Sequence, residues 1–460
     1  MDQNSNLIEH KKAFRFAHLA DLHLGSWRST SMRELSTKAF DLAIKRCIDE
    51  QYDFIIFAGD IFNTSLPAID IINHVASKLQ ELKNSNIPLY VIPGSHDFSP
   101  TGRSMIDVLE SAGLLINVCK GQVNPETKLL ELKQTIDPKT GAKITGILGR
   151  RGLLDRTYYE NLEREKLENS DGYKIFMFHT TLTELKPKHL EMLDSQAASF
   201  LPKHQNYYAG GHIHHKNKID FPEFGPMTYT GALFPNNFSE LEKYSFGGFY
   251  EVSVQTKKTN TQNENNTNNN IHNNNIHNNS NIHNKYEEVN KLNFQSTIVW
   301  HPLKIIDHLA IQINCTNKSI EEIQSICKEK LENNQVKDTI ITLRLSGNIG
   351  EYSIKDIDTE KLQVYAKSQG AKILLINTNK IERNMFKESS LGLQDSPELM
   401  EEAIINEHLS TQNKNSNLEK EVIQKLLQEL ATNKQEGEKS YDFSLRVIDS
   451  CKTILNKFEN

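Results

Sequence analysis

The feature that most constrains this chain is a series of short apolar runs that end in glycine, aspartate or histidine. Between Phe14 and Val254 they read FRFAHL, FIIFAGD, PLYVIPG, KITGILG, YKIFMFH, YYAGG and MTYTG, closing with GGFYEVSV. Each has the length of a β-strand and is bounded by Gly, Pro or polar clusters. Helical periodicity fills the first gaps, in MRELSTKAFDLAIKRCIDEQ and AIDIINHVASKLQELKNSN. Strand–helix alternation followed by a strand-rich half predicts an α/β sandwich.

The polar residues at the strand ends carry the chemistry. Asp21 and His23 follow the first run, in FRFAHLADLHLGS. In an extended chain residues i and i+2 face one side, so continued extension would aim both at a single point. Gly59-Asp60 follows FIIFA, Gly94-Ser95-His96-Asp97 follows PLYVIP, His179 follows KIFMF, and Gly211-His212-Ile213-His214 follows NYYAG. Parallel strands of an open sheet bring their C-terminal ends to one edge, where ligands bind. Glycines there let the loops turn sharply. Carboxylate and imidazole donors without thiolate suit manganese, iron, zinc or magnesium. Six such ligands exceed the needs of one ion that keeps an open position. They suit two ions sharing a carboxylate, as in phosphoester hydrolysis, with Asp60 the natural bridge. An Asp-x-His alone is ordinary turn chemistry, whereas the ordered set DxH, GD, GxHD, H and GHxH is specific.

Other features bound the reading. No apolar run approaches the ~20 residues of a membrane-spanning helix, and MDQNSNLIEHKKAF lacks the apolar core of a signal peptide. Five scattered cysteines without a CxxC fit reduced thiols in an intracellular protein. A net charge of −6 argues against DNA being held mainly by this chain's own surface, so a nucleic-acid role would need local patches, metals or a partner. Arg150 and Arg151 after ILG, and Lys186, Lys188 and His189 beyond His179, are candidate contacts to a nucleic-acid backbone. Trp27 is expected to pack rather than to stack on a base. Residues 256–293 are Asn-rich and expected to be disordered, expanding the tip of a hairpin between GFYEVSV and STIVWHPL. Beyond residue 303 a strand–helix–strand–helix–strand pattern predicts a small α+β domain. The last stretch is helical by pattern, with Ser396-Pro397 as a helix start. Leu418, Val422, Leu426 and Leu430, then Leu445, Ile448, Leu455 and Phe458, recur at helical spacing and suggest docking to a partner.

The segments ADLHLGS, FAGDIF, PGSHDFSP and GGHIHH resemble the calcineurin-like metallophosphoesterases, and more narrowly the SbcD-type (Mre-eleven) nucleases of DNA double-strand break repair. The resemblance covers nearly the whole chain. It implies an N-terminal tail over 1–13 and a four-layer α/β/β/α sandwich over 14–303. It further implies a DNA-capping α+β domain over 304–385 and a helical ATPase-docking tail over 386–460. The implied activity is hydrolysis of phosphodiester bonds at DNA ends by a 3′–5′ exonuclease and endonuclease using two divalent ions, with manganese expected. Carried over by motif, Asp21, His23, Asp60 and His214 would hold one ion, and Asp60, His179 and His212 the second. His96 would stand beside the scissile phosphate, with Asp97 orienting its imidazole. Arg150, Arg151 and Lys186 would contact DNA. The implied partners are DNA ends, an SMC-like coiled-coil repair ATPase of the SbcC/Rad-fifty type and a second copy of the chain, in the nucleoid-containing cytoplasm and away from membranes. Two positions depart from the pattern. Ser95 replaces the Asn that ligates the second ion, offering a shorter and poorer neutral donor. Asn63 stands where these nucleases often carry a histidine. Two alternatives remain at this stage: a scaffold with a decayed site, and a phosphatase or cyclic-nucleotide phosphodiesterase using the same ligands.

Overall fold

A computed structural model describes residues 13–98, 103–257, 293–350, 352–382, 417–432, 434–435 and 440–456. Of the tract 256–293 expected to be disordered, Thr256 and Lys257 close one strand and Asn293 opens the next; residues 258–292, the 1–13 tail up to residue 12 and the Ser396-Pro397 helix start lie outside the described residues.

Two six-stranded sheets form the body. Sheet one contains β1 (Ala13–Leu19), β2 (Phe54–Ala58), β3 (Leu89–Ile92) and β4 (Ile116–Asn117), and later β13 (Gly247–Lys257) and β14 (Asn293–Leu303), in the order β14-β13-β1-β2-β3-β4. Sheet two contains β7 (Thr135–Ile136), β8 (Lys143–Ile147), β9 (Lys174–His179), β10 (Tyr207–Gly211), β11 (Asn217–Phe221) and β12 (Gly225–Tyr229), in the order β11-β12-β10-β9-β8-β7. A small ribbon, β5 (Gly121–Val123) with β6 (Leu130–Leu132), stands apart.

Alternation along the strands dictates the layering. In β1 and β2, Phe14, Phe16, Phe54 and Ile56 face sheet two, where they pack with Ile144, Ile175, Met177 and Tyr207. Their neighbours Ala17, Leu19, Ile55 and Phe57 face the opposite way. That second face is covered by α1 (Thr30–Asp49), α2 (Ile69–Asn84) and α3 (Met105–Ser111). In α1 the buried residues Met32, Ser36, Ala39, Phe40, Ala43, Ile44 and Cys47 trace one helical stripe. The outer face of sheet two is covered by α4 (Arg156–Glu160), α5 (Glu165–Glu168) and irregular segments through Tyr159, Leu167, Leu182 and Leu201. The result is the four-layer α/β/β/α sandwich. The strands that end in Asp and His belong to two sheets packed face to face, as a sandwich requires.

The hairpin β13–β14 pairs from Gly247↔Leu303 to Lys257↔Asn293. A short helix, α6 (Phe238–Tyr244), precedes it, with the Asn237 side chain accepting from the Glu240 amide at its start. Beyond it, β15 (Asp307–Asn314), α7 (Ile320–Glu332), β16 (Thr339–Asn348), α8 (Thr359–Ser368) and β17 (Ile373–Glu382) form a three-stranded sheet ordered β15-β16-β17 with two helices. Ile340 of this sheet joins the core beneath the helices of sheet one, and Arg344 grips Glu242 of α6 through three hydrogen bonds of 2.7–3.0 Å. Separately, α9 (Asn417–Leu430) and α10 (Ser440–Asn456) pack against each other and leave Leu427, Leu430, Leu445, Ile448 and Leu455 exposed. Among the described residues no helix is long and apolar enough to cross a membrane.

Candidate metal centre

The loops after β1, β2, β3, β9 and β10 converge between the two sheets. The first does not stay extended. β1 ends at Leu19, and Asp21 (φ 52°) and His23 (φ 41°) both adopt left-handed backbone, as do Asp60 (φ 54°) and His212 (φ 86°). The i, i+2 geometry expected for Asp21 and His23 is therefore replaced by two tight reversals. Such conformations cost roughly 1–3 kcal/mol each and persist where surrounding bonds dictate them. Here the Asp21 amide donates to the Gly59 carbonyl at 3.1 Å, the His23 amide to the Asp60 carbonyl at 3.0 Å, and the Leu24 amide to the Ile61 carbonyl at 3.0 Å. Gly94 is required by close approach, since a Cβ there would fall on the Asp60 carboxylate and amide.

The inward-facing atoms are those expected of a metal centre. Nε2 of His23 lies 3.1 Å from Nε2 of His214 and 3.4 Å from the Asp60 carboxylate. Nε2 of His179 is 3.3 Å from the same carboxylate, and Nε2 of His214 is 3.8 Å from Asp21. Three sets place their donor atoms within 4.8 Å of one another: Asp21, His23 and His214; Asp21, Asp60 and His179; and His23, Asp60 and His96. Asp60 belongs to two of them. His212 falls in none, although its ring is 5.2 Å from that of His179 and its amide donates to the Asp21 carboxylate at 2.9 Å. Asp21 therefore stands closer to the His179 side than the motif suggested. The Asp60 carboxylate also accepts from the His96 amide at 2.7 Å and from the Ser95 hydroxyl at 3.4 Å.

The fit to cations is tested by the far side of each imidazole. Nδ1 of His179 donates to the Ala58 carbonyl at 2.8 Å, and Nδ1 of His214 meets the Glu240 carboxylate at 2.9 Å. An acceptor behind Nδ1 fixes the tautomer and points Nε2 inward, as metal-ligating histidines require. Electrostatics agree. Burial would lower His179, but Asp60 outweighs it and raises the imidazole to about 10. Burial likewise opposes the rise of His214 to about 9, which its bond to Glu240 and the charge of Asp21 produce. Burial would raise Asp60, yet His179 and then His23 hold it well below the usual carboxylate range. Burial lifts Asp21 to about 6 and depresses His23 strongly, while burial and then His179 bring His212 to about 3. Without cations, protons on His179 and His214 balance the carboxylates, and binding of ions would expel them. The donor set thus fits divalent cations.

Two sequence expectations are corrected. Asp97 does not orient the His96 imidazole. Its carboxylate accepts from the backbone amides of Ile61, Phe62 and Gly94 at 3.2, 3.1 and 3.0 Å, tying the Asp60 loop to the His96 loop. Nδ1 of His96 instead donates to the Asn63 carbonyl at 2.7 Å, so the unusual residue at that position serves through its backbone. Lys186 is not presented to a nucleic acid. Its ammonium donates to the Glu191 and Leu193 carbonyls at 2.8 and 2.9 Å and to the Ser195 hydroxyl at 3.3 Å, which uses all three of its hydrogens.

Arg150 and Arg151 do reach the site. With Ser95 and His96 they line a cavity of about 290 Å³, where the Arg150 guanidinium lies 4.6 Å from the Phe98 ring centroid. Trp27 packs, donating to the Pro235 carbonyl at 2.8 Å. Sequence reasoning missed Glu240. Its only signal there was Asn237 three residues earlier, which marks a helix start and says nothing of a metal.

The calcineurin-like phosphoesterase family matches residues 14–216. The chain is also similar to proteins named DNA double-strand break repair protein Mre11. It is 27% identical to that of Archaeoglobus fulgidus over 50% of this chain and 52% of the relative. For Methanococcus maripaludis the identity is 28% over 51% of this chain and 61% of the relative. For Methanosarcina mazei it is 34% over 54% and 39%. The chain spans between two-fifths and three-fifths of the length of these relatives.

Proposed function

We propose that this chain, whose residues 14–216 match the calcineurin-like phosphoesterase family, is a two-metal nuclease that hydrolyses phosphodiester bonds at DNA ends during double-strand break repair. The observation that carries the reading is the pinning of His179 and His214 by acceptors behind their rings, which leaves Nε2 of each facing Asp60 and Asp21. Repair of DNA ends is the role printed in the names of the similar proteins.

In this reading Asp21, His23, Asp60 and His214 hold one divalent ion, and Asp60, His179 and His212 the other, with Ser95 beside them. Manganese is the expected metal. Two divalent ions held by these residues would supply an ionised water near neutral pH and positive charge against the phosphate. The chain's own groups do the rest. The Asn63 carbonyl can only accept, so Nδ1 of His96 carries its hydrogen. That leaves Nε2 of His96 as the atom that passes a proton to the departing oxygen. Asp97 keeps the loops of Asp60 and His96 in register, and Arg150 and Arg151 hold the phosphate backbone. The leucines exposed on α9 and α10 dock on an SMC-like coiled-coil ATPase, which supplies the basic surface that a chain of net charge −6 lacks. The small α+β domain caps the DNA, and the protein works as an intracellular homodimer.

Elemental analysis of manganese-saturated protein tests the core of this reading. Two ions per chain and manganese-dependent cleavage of DNA are expected. His96→Ala should retain both ions and lose cleavage by about 10²–10⁴-fold. Absence of stoichiometric metal, or normal cleavage by His96→Ala, rejects it.

A further inference from the structure

Against the back of the metal centre lies a second cavity of about 210 Å³, and we propose that it binds the unpaired nucleobase of a nucleotide, a ligand class set by its aromatic walls and lysines. As a subsite for the nucleotide next to the cleaved bond it rests on the nuclease reading above. As a nucleotide site it stands on its own residues.

His214 and Glu240 form the shared wall. One edge of the imidazole faces Asp21 and His23 and the other faces Glu240, so a single ring separates the cavity from the ligand cluster. Four of the remaining lining residues are aromatic, His215, Tyr244, Phe246 and Trp300. Trp300 and Phe246 lie with centroids 6.3 Å apart, and Tyr244 packs 5.6 Å from His215. The indole is fixed, because Nε1 donates to the Thr230 carbonyl at 3.1 Å and Gly248 leaves room where any Cβ would meet the ring. Lys216 holds its ammonium 3.9 Å from the Trp300 centroid, and Lys243 lies 5.2 Å from that of Tyr244.

These residues define the ligand by exclusion. An aromatic cage alone would suit a quaternary ammonium ion, but two lysines at its walls repel a cation. The one carboxylate there, Glu240, is already bonded to His214. A flat π-system carrying a phosphate suits both the rings and the Lys216 ammonium, as single-stranded nucleic-acid sites do. The volume admits one base and excludes a duplex, so the nucleotide that enters is unpaired.

The chain has two tryptophans, and Trp27→Phe leaves Trp300 as the sole indole reporter. Deoxyadenosine 5′-monophosphate, titrated with chelator present, should quench its fluorescence to saturation, whereas deoxyribose 5-phosphate should not. Trp300→Phe in the otherwise native chain should abolish the quench. Tyr244→Ala should weaken nucleotide binding by roughly 5- to 150-fold, the range for loss of one base–aromatic stack. Tyr244→Phe should restore it, and Lys216→Glu should weaken it. No saturable quench, equal binding of the sugar phosphate, or indifference to Tyr244→Ala and Lys216→Glu overturns the proposal. Manganese-dependent DNA cleavage by the wild-type chain is scored separately. Cleavage without quenching removes the pocket and leaves the nuclease, and quenching without cleavage does the reverse.

Discussion

Replacing Glu240 probes whether the ring-pinning seen here governs metal binding. The Glu240 carboxylate accepts from Nδ1 of His214 at 2.9 Å and from the Asn236 amide at 2.9 Å. In Glu240→Ala the imidazole loses the acceptor that sets its tautomer and its angle. Outer partners of this kind are typically worth about 10–100-fold in metal affinity, or about 1.4–2.7 kcal/mol. The effect should fall on one ion. His179 is pinned by the Ala58 carbonyl instead, so the ion on that side should keep its affinity. Glu240 also holds a proton on His214, and losing that charge eases metal entry, which opposes the first effect. Glu240→Gln separates the two, because its amide oxygen still accepts from Nδ1 while the charge is gone. Calorimetric titration with manganese should therefore show one weakened site in Glu240→Ala, two near-normal sites in Glu240→Gln, and two normal sites in Glu242→Ala, whose carboxylate faces Arg344. Wild-type affinities at both sites of Glu240→Ala would refute the argument, as would equal weakening of both.

Lys186→Ala should lower unfolding stability by about 1–3 kcal/mol through the loss of internal hydrogen bonds, while the salt dependence of DNA binding stays at the wild-type slope; a reduced slope would return Lys186 to the DNA surface. His18 is buried and brought down to about 3 by that burial, so the unfolded chain takes up its proton first as pH falls. Its stabilisation is complete above pH 6.5 and fades towards pH 3, by up to about 2 kcal/mol at pH 5. Urea unfolding at pH 7.5 and pH 5 should show a smaller drop in His18→Leu, and an identical drop would contradict the assignment. Removal of the chain beyond residue 390 should leave two ions bound per chain and abolish co-purification with the coiled-coil ATPase; undiminished association would defeat the docking role of α9 and α10.

The strand ends were legible because their signal is local. An apolar run followed by Gly-Asp or Gly-His-x-His announces both the strand and the polar cluster within a few residues, and the donor atoms of Asp21, Asp60, His179 and His214 fall in close sets at those strand ends. Backbone sign was not legible. Asp21 and His23 turn left-handed because carbonyls from the Asp60 loop, nearly forty residues later, accept their amides. Partner choice was hidden for the same reason. Asp97 looks like the neighbour of His96, yet three amides compete for its oxygens and win. Lys186 reads as a surface cation until its loop curls back to offer carbonyls. Glu240 lies 26 residues from the imidazole it holds, in a segment whose own pattern speaks only of a helix start.

Helix α6 carries Glu240 and Glu242 two positions apart, and two steps of an α-helix turn about 200°. One carboxylate therefore grips His214 while the other, on the opposite flank, is clamped by Arg344 of the small three-stranded sheet. A seven-residue rod is too short to absorb a twist along its length. Through these two contacts one short helix bridges that sheet and an imidazole of the ligand cluster, so the spacing between them is set by the helix.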